Sequence, residues 1–259
     1  MVLHVPAFED NYIWLICGEA VTTGSRPCII VDPGDADPVF EALQQHSLTP
    51  VAIFCTHRHG DHVGGVDDLA AKYTVEVYGP PAEAIGGITR PVSGGETIEL
   101  AGFPSFEVLA TPGHTAGHIS YFGGGALFCG DTLFSSGCGR VFDGTAKQLY
   151  QSLQAIAQLP SATRVYCAHE YTLANLRFAL AVEPDNNDTR EYLKECQEKR
   201  QRNMPTLPSQ LGQELKINPF LRTAIATVRR SAERHAAKPL AADEAVFVAL
   251  RQWKDGFRG

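Results

Sequence analysis

The chain has 259 residues, 44% hydrophobic and 20% charged, an ordinary globular composition with length for one large domain or two smaller ones. A formal net charge of −7 argues against a nucleic-acid binder, which presents a basic face. The start MVLHVPAFEDNY lacks the basic segment and long apolar core of a signal peptide, and no apolar run reaches membrane-span length, so a cytoplasmic protein with no membrane partner is expected.

In chain order, NYIWLICG and PCIIVDPG read as strands joined by the turn-like TTGSR, and VAIFC as a further strand. GVDDLAAKY reads as a helix and VEVYG as the strand after it. TIELAG with SFEVLAT suits a hairpin, and HISYFGGGALFCGD suits another with GGG at its turn. GTAKQLYQSLQAIAQLP predicts a helix, with Thr145 and Gln148 spaced as a capping box and Leu149, Leu153, Ile156 and Leu159 on one face. RVYCAH is the last strand of this part.

Beyond it the pattern is helical. YTLANLRFALAV has apolar residues at helical spacing, TREYLKECQEKRQRN is a charged helix, and MPTLPS is a connector. ADEAVFVALRQWKDGF places Val246, Phe247, Leu250 and Trp253 on one side. The expected architecture is an α/β domain over 1–169 and a smaller helical domain over 170–259. The seven cysteines include no CxxC pair, and several lie inside apolar runs. They read as buried free thiols of a reducing compartment, not as zinc-finger ligands.

Residues 56–62, THRHGDH, set three histidines and an aspartate between a strand and a helix. A solvated loop gains nothing from that density, so the cluster points to metal. His57 and His59 project to one side, and Gly60 permits a turn that returns Asp61 and His62, so the loop can serve two ions. Both ions then need further ligands. Three other polar residues follow apolar strands: His114 in TPGHTAGH, Asp131 in CGDTLF and His169 in CAHEY. Imidazole and carboxylate donors suit zinc, iron or manganese. Asp61 and Asp131 with a hydroxide between two divalent ions leave a residual positive field, which favours an oxyanion and hence hydrolysis. His4, His46 and His235 read as structural residues. His118 reads equally as a structural residue or as one that orients a ligand. Asp32 in VDPGD reads as a turn cap ahead of a brace for the site.

Taken together, these loops resemble the metallo-β-lactamase superfamily, whose signature is H-x-H-x-D-H. The resemblance implies an αββα sandwich with a C-terminal helical domain. It also implies one ion on His57, His59 and His114, another on Asp61, His62 and His169, and Asp131 bridging them. Within the superfamily, FEDNYIWLI, THRHGDH, TPGHTAGH, CGDTLFSSGCGR, AHEYTLANLRFA and NPFLRT are similar to the glyoxalase II (hydroxyacylglutathione hydrolase) family. That similarity covers nearly the whole chain, and in that family the helical tail supplies part of the glutathione site.

What this implies is a thioesterase that cleaves S-D-lactoylglutathione to glutathione and D-lactate, the detoxification of methylglyoxal, by a hydroxide bridging two divalent ions. Nothing in the sequence marks an interface, so a monomer is the default expectation. Zinc comes first among those ions, with iron or manganese as alternatives. Asp61 and Asp131 would serve catalysis as metal-bound carboxylates. Arg140, Phe142, Tyr171 and Arg222 fall at substrate-contacting positions. Two departures predict looser glutathione binding. Phe142 stands where some members have tyrosine, and TAIAT follows Arg222 where some carry a lysine. A one-iron persulfide dioxygenase, a phosphodiesterase and a non-catalytic binding module are the competing readings.

Overall fold

A computed structural model describes residues 1–19 and 24–259, so the turn expected at TTGSR falls partly outside the described residues. The chain divides into two compact units. The first comprises 1–111 and 115–130, and the second comprises 112–114 and 131–259.

The first unit opens with β1 (Val2–Ala7), β2 (Asn11–Cys17) and β3 (Arg26–Val31), an antiparallel set with Leu3 opposite Leu15 and Leu15 opposite Ile30. β4 (Leu48–Phe54), β5 (Glu76–Gly79) and β6 (Arg90–Pro91) continue the same sheet in parallel. Parallel pairing needs crossovers. The helices α1 (Asp37–Gln45) and α3 (Val66–Tyr73) lie in them, and the one-turn helix α2 (Gly60–Val63) precedes α3. The apolar faces of α1 and α3 set Val39, Leu43, Val66 and Leu69 into one core with Leu15, Ile30, Ile53 and Val77.

A second, antiparallel ladder joins β7 (Thr97–Ile98), β8 (Phe106–Ala110), β9 (Ile119–Gly123) and β10 (Ala126–Gly130). Both hairpins expected from TIELAG/SFEVLAT and from the GGG turn are present. Aromatic rings join the two sheets of this unit. Phe54 of β4 stacks on Tyr121 of β9 at 4.5 Å and meets Phe106 of β8 edge-on at 5.4 Å. Tyr121 is wholly buried, and its hydroxyl is satisfied by the Cys55 carbonyl at 2.7 Å.

The second unit holds two short ladders, β11 (Leu133–Phe134) with β12 (Gly137–Cys138) and β13 (Arg164–Cys167) with β14 (Ser209–Gln210). Its helices are α4 (Ala146–Ile156), α5 (Thr172–Val182), α6 (Asn187–Gln201), α7 (Leu211–Ile217), α8 (Ala226–Ala236) and α9 (Asp243–Gly256). The capping box is realised: Gln148 N–H donates to Thr145 Oγ1 at 3.1 Å, and Thr145 N–H donates to Gln148 Oε1 at 2.9 Å. Phe178, Phe220 and Phe247 pack ring to ring and bind α5 to α9 through the 218–221 segment. All seven cysteines are free and buried, as their apolar settings suggest. Among the described residues no helix is long and apolar enough to cross a membrane.

Candidate metal and substrate site

In the first unit, the functional loops follow the C-terminal ends of parallel strands, where open α/β sheets bind ligands. β3 ends at Val31 and delivers Asp32, and β4 ends at Phe54 and delivers Thr56–His62. Asp32 is buried and takes a positive φ of 50°, a conformation that aspartate tolerates better than most residues. Its carboxylate accepts Thr56 N–H at 2.8 Å and Thr56 Oγ1–H at 2.8 Å, and it lies 3.1 Å from His62 Nδ1. The expected turn-cap role is therefore replaced by a brace. Asp32 spans the backbone of the metal loop and orients its last histidine.

The same logic runs through the cluster. Thr56 Oγ1 gives its proton to Asp32 and so accepts from His57 Nδ1 at 3.0 Å, which makes Nε2 the donor atom of His57 toward a metal. That Nε2 is 3.0 Å from His59 Nδ1. His62 Nε2 is 3.6 Å from Asp61 Oδ2. Asn11, at the start of β2, donates to Asp61 Oδ2 at 3.0 Å and to the Asp61 carbonyl at 3.3 Å. Gly34 lets this packing close, because a Cβ there would sit 1.9 Å from the Asp61 carbonyl oxygen. His118 stacks on His57 with centroids 4.8 Å apart, and its Nδ1 meets Thr111 Oγ1 at 3.0 Å.

In the second unit, Asp131 stands between two imidazoles. His114 Nε2 is 3.4 Å from Oδ2, and His169 Nε2 is 3.3 Å from Oδ1. Two ligands of a tetrahedral zinc, each about 2.0–2.1 Å from the ion, lie about 3.3–3.4 Å apart, so both spacings fit shared coordination. They also exceed the usual length of an N–H···O bond. His114 Nδ1 donates to the Arg140 carbonyl at 2.8 Å, which again turns Nε2 toward the carboxylate. His169 stacks on Tyr171 at 4.8 Å with planes 3° apart, and Phe134 meets Tyr171 edge-on at 5.3 Å. The first unit thus supplies His57, His59, Asp61 and His62, and the second His114, Asp131 and His169, all nitrogen or carboxylate donors with no thiolate.

The segment between Asp131 and Arg140 is held by side chains of the helices. Asn175 of α5 donates to the Ser135 carbonyl at 3.1 Å, and Glu214 of α7 accepts Ser136 N–H at 2.7 Å. Asn218 donates to the carbonyls of Phe134 and Gly137, and Arg251 of α9 donates to those of Cys138 and Gly139. Burial holds the Glu214 carboxyl above the usual range, although hydrogen bonds from the Ser136 N–H and the Asn218 amide pull the other way.

Of the expected substrate contacts, Phe142 is 62% exposed with its ring edge on His114 at 5.1 Å, and Arg140 and Tyr171 are also exposed. Arg222 is engaged elsewhere: its Nε and Nη2 grip Glu183 at 2.8 and 3.1 Å, and its Nη1 donates to the Leu215 carbonyl. Lys254 of α9 donates to the Ala174 carbonyl at 3.2 Å. Burial, then the charges of Arg251 and Arg140, lower the Lys254 ammonium to about 8. Lys254 lies 80 residues from Ala174, so this contact had no local signal in the sequence. Asn11 went unnoticed for the same reason.

The metallo-β-lactamase superfamily matches residues 9–169, and the hydroxyacylglutathione hydrolase C-terminus matches 170–257. A hydroxyacylglutathione hydrolase of Nitrosomonas europaea is 48% identical over 262 aligned residues, covering 100% of this chain and 97% of its own. Among solved structures, ETHE1 from Myxococcus xanthus superposes with a TM-score of 0.66 at 24% identity, covering 98% of each chain. TTHA1623, solved in a di-iron-bound form, gives 0.56 at 28% identity over 82% of this chain and 95% of its own. The fold is that of the metallo-β-lactamases with a C-terminal helical region, and the chain belongs to the hydroxyacylglutathione hydrolase family.

Proposed function

We propose that this chain hydrolyses S-D-lactoylglutathione to D-lactate and glutathione at two divalent ions, zinc foremost. The observation that carries the reading is Asp131, whose two oxygens face His114 and His169 at 3.4 and 3.3 Å in a chain 48% identical to a hydroxyacylglutathione hydrolase throughout. His57, His59 and His114 would hold one ion and Asp61, His62 and His169 the other, and Asp131 would serve both. Iron is the alternative that the di-iron relative supports, and manganese suits the same donors.

Bound divalent ions supply carbonyl polarisation and an acidified water. The chain's own residues do the rest. Asp32, Thr56 and the Arg140 carbonyl hold His62, His57 and His114 in the tautomer that turns a nitrogen lone pair inward. Asn11 holds Asp61. Arg140 and Lys254 recognise the glutathione carboxylates, with Tyr171 and Phe142 as the aromatic contacts, and Arg222 supports them from the Glu183 pair. The leaving thiol has an ordinary pKa of about 8.5, so no strong general acid is required. Residues 1–169 form the catalytic part and 170–259 the substrate-binding part of a cytoplasmic monomer.

The test is hydrolysis of S-D-lactoylglutathione beside the same acyl group on a thiol lacking the glutathione carboxylates. A strong preference for the glutathione thioester is expected. Equal rates on both would remove Arg140 and Lys254 from substrate recognition.

A further inference from the structure

One carboxylate outside the ligand set joins two loops of the first unit. Glu83 ends the short 3-10 turn Pro81–Glu83 and is wholly buried. Its Oε2 accepts the backbone N–H of Arg58 at 3.1 Å and the Arg58 guanidinium at 3.3 Å. Its Oε1 accepts the backbone N–H of Gly117 at 2.7 Å. Arg58 is the residue between His57 and His59. Gly117 immediately precedes His118, whose ring stacks on that of His57. Glycine is required at 117 for this approach, since a Cβ would stand 2.7 Å from Glu83 Oε1 and 2.9 Å from the Ala82 methyl.

A buried carboxylate is a costly way to join two loops unless both oxygens are satisfied, and here both are. The ion pair is not the main contact, because the Arg58 side chain is 40% exposed. What Glu83 holds is backbone: the link between His57 and His59 on one side, and the residue before the stacking partner of His57 on the other. We propose that Glu83 is a positioning residue that sets the spacing of His57 and His59 for metal, as a clamp from Arg58 to Gly117. This rests on the reading of both histidines as ligands.

The test compares wild type with Glu83→Gln, Glu83→Ala and Gly117→Ala, the last of which keeps the carboxylate and drives a methyl into it. Apo proteins are titrated with zinc against a chromogenic chelator, and visible spectra are taken with cobalt. Circular dichroism and Tm establish which variants fold. The expected result is binding of one ion weakened about 10–100-fold, with an altered cobalt spectrum, in each folded variant. Where Glu83→Ala fails to fold, Glu83→Gln and Gly117→Ala decide. Unchanged affinity and cobalt spectrum with a lowered Tm would overturn the clamp and leave Glu83 a support of the fold alone. A wild-type chain that binds no metal would overturn the ligand reading, and this inference with it.

Discussion

His62 Nδ1 lies 3.1 Å from Asp32 Oδ2, and both side chains are buried. A carboxylate at that nitrogen keeps the proton on Nδ1 and leaves the lone pair of Nε2 available to a metal. The brace comes from 30 residues earlier in the chain, at the end of the neighbouring parallel strand.

Asp32→Ala should therefore weaken one metal ion by about 10–100-fold. It also orphans the buried Thr56 N–H, at a cost of about 1–3 kcal/mol. Chelator competition reads the first effect and thermal unfolding the second. A loss of Tm with metal affinity intact would refute the orienting role.

Arg140→Ala and Lys254→Ala should each raise KM for S-D-lactoylglutathione about tenfold, as expected from losing one charge-assisted hydrogen bond of roughly 1.5 kcal/mol. kcat should change little, and the thioester lacking the carboxylates should not respond. Steady-state kinetics on both substrates check this.

The pH dependence of binding follows from Lys254. Its ammonium is lowered to about 8 by burial and by Arg251 and Arg140. Below that pH it is charged and attracts a carboxylate, and above it the attraction fades. KM for the glutathione thioester should rise as pH passes from 7 to 9, and Lys254→Arg, always charged, should flatten the profile.

Arg222→Ala tests the Glu183 pair. Burial raises the Glu183 carboxyl, but the bonds from Arg222 and Thr227 outweigh it and leave the net shift downward. A depressed folded value stabilises above the unfolded carboxylate range, and that stabilisation is lost as pH falls through the folded value. Removing Arg222 strands a buried carboxylate, so a loss of about 3 kcal/mol is expected near neutral pH, with the acid dependence of Tm reduced. Thermal scans from pH 3 to 7 measure it. A large KM effect with unchanged Tm would return Arg222 to the substrate.

The strands were legible because apolar runs such as VAIFC and ALFC stop abruptly at glycine, proline or a polar loop. The metal residues were legible because histidine and aspartate crowd the points where strands end. α8 left little trace, since only Val228 and Ala232 of its residues are buried and the rest is polar. α1 is nearly as thin, with Val39 and Leu43. The pairings that orient the site were illegible in principle. Asn11 reaches Asp61 across 50 residues, and Arg251 reaches the Cys138 carbonyl across 113. A local reading of NPFLRT selected Arg222 as the substrate cation. Only three-dimensional packing sets Lys254 against the Ala174 carbonyl and turns Arg222 onto Glu183.

Thioester hydrolysis by this chain should depend on the metal ligands of both units. The most direct measurement is the rate of S-D-lactoylglutathione hydrolysis by apo protein titrated with zinc, alongside metal content per chain. Negligible activity without metal is expected, with a rate that climbs until two ions are bound. Two ions bound with no hydrolysis, or full activity in the apo protein, would contradict it.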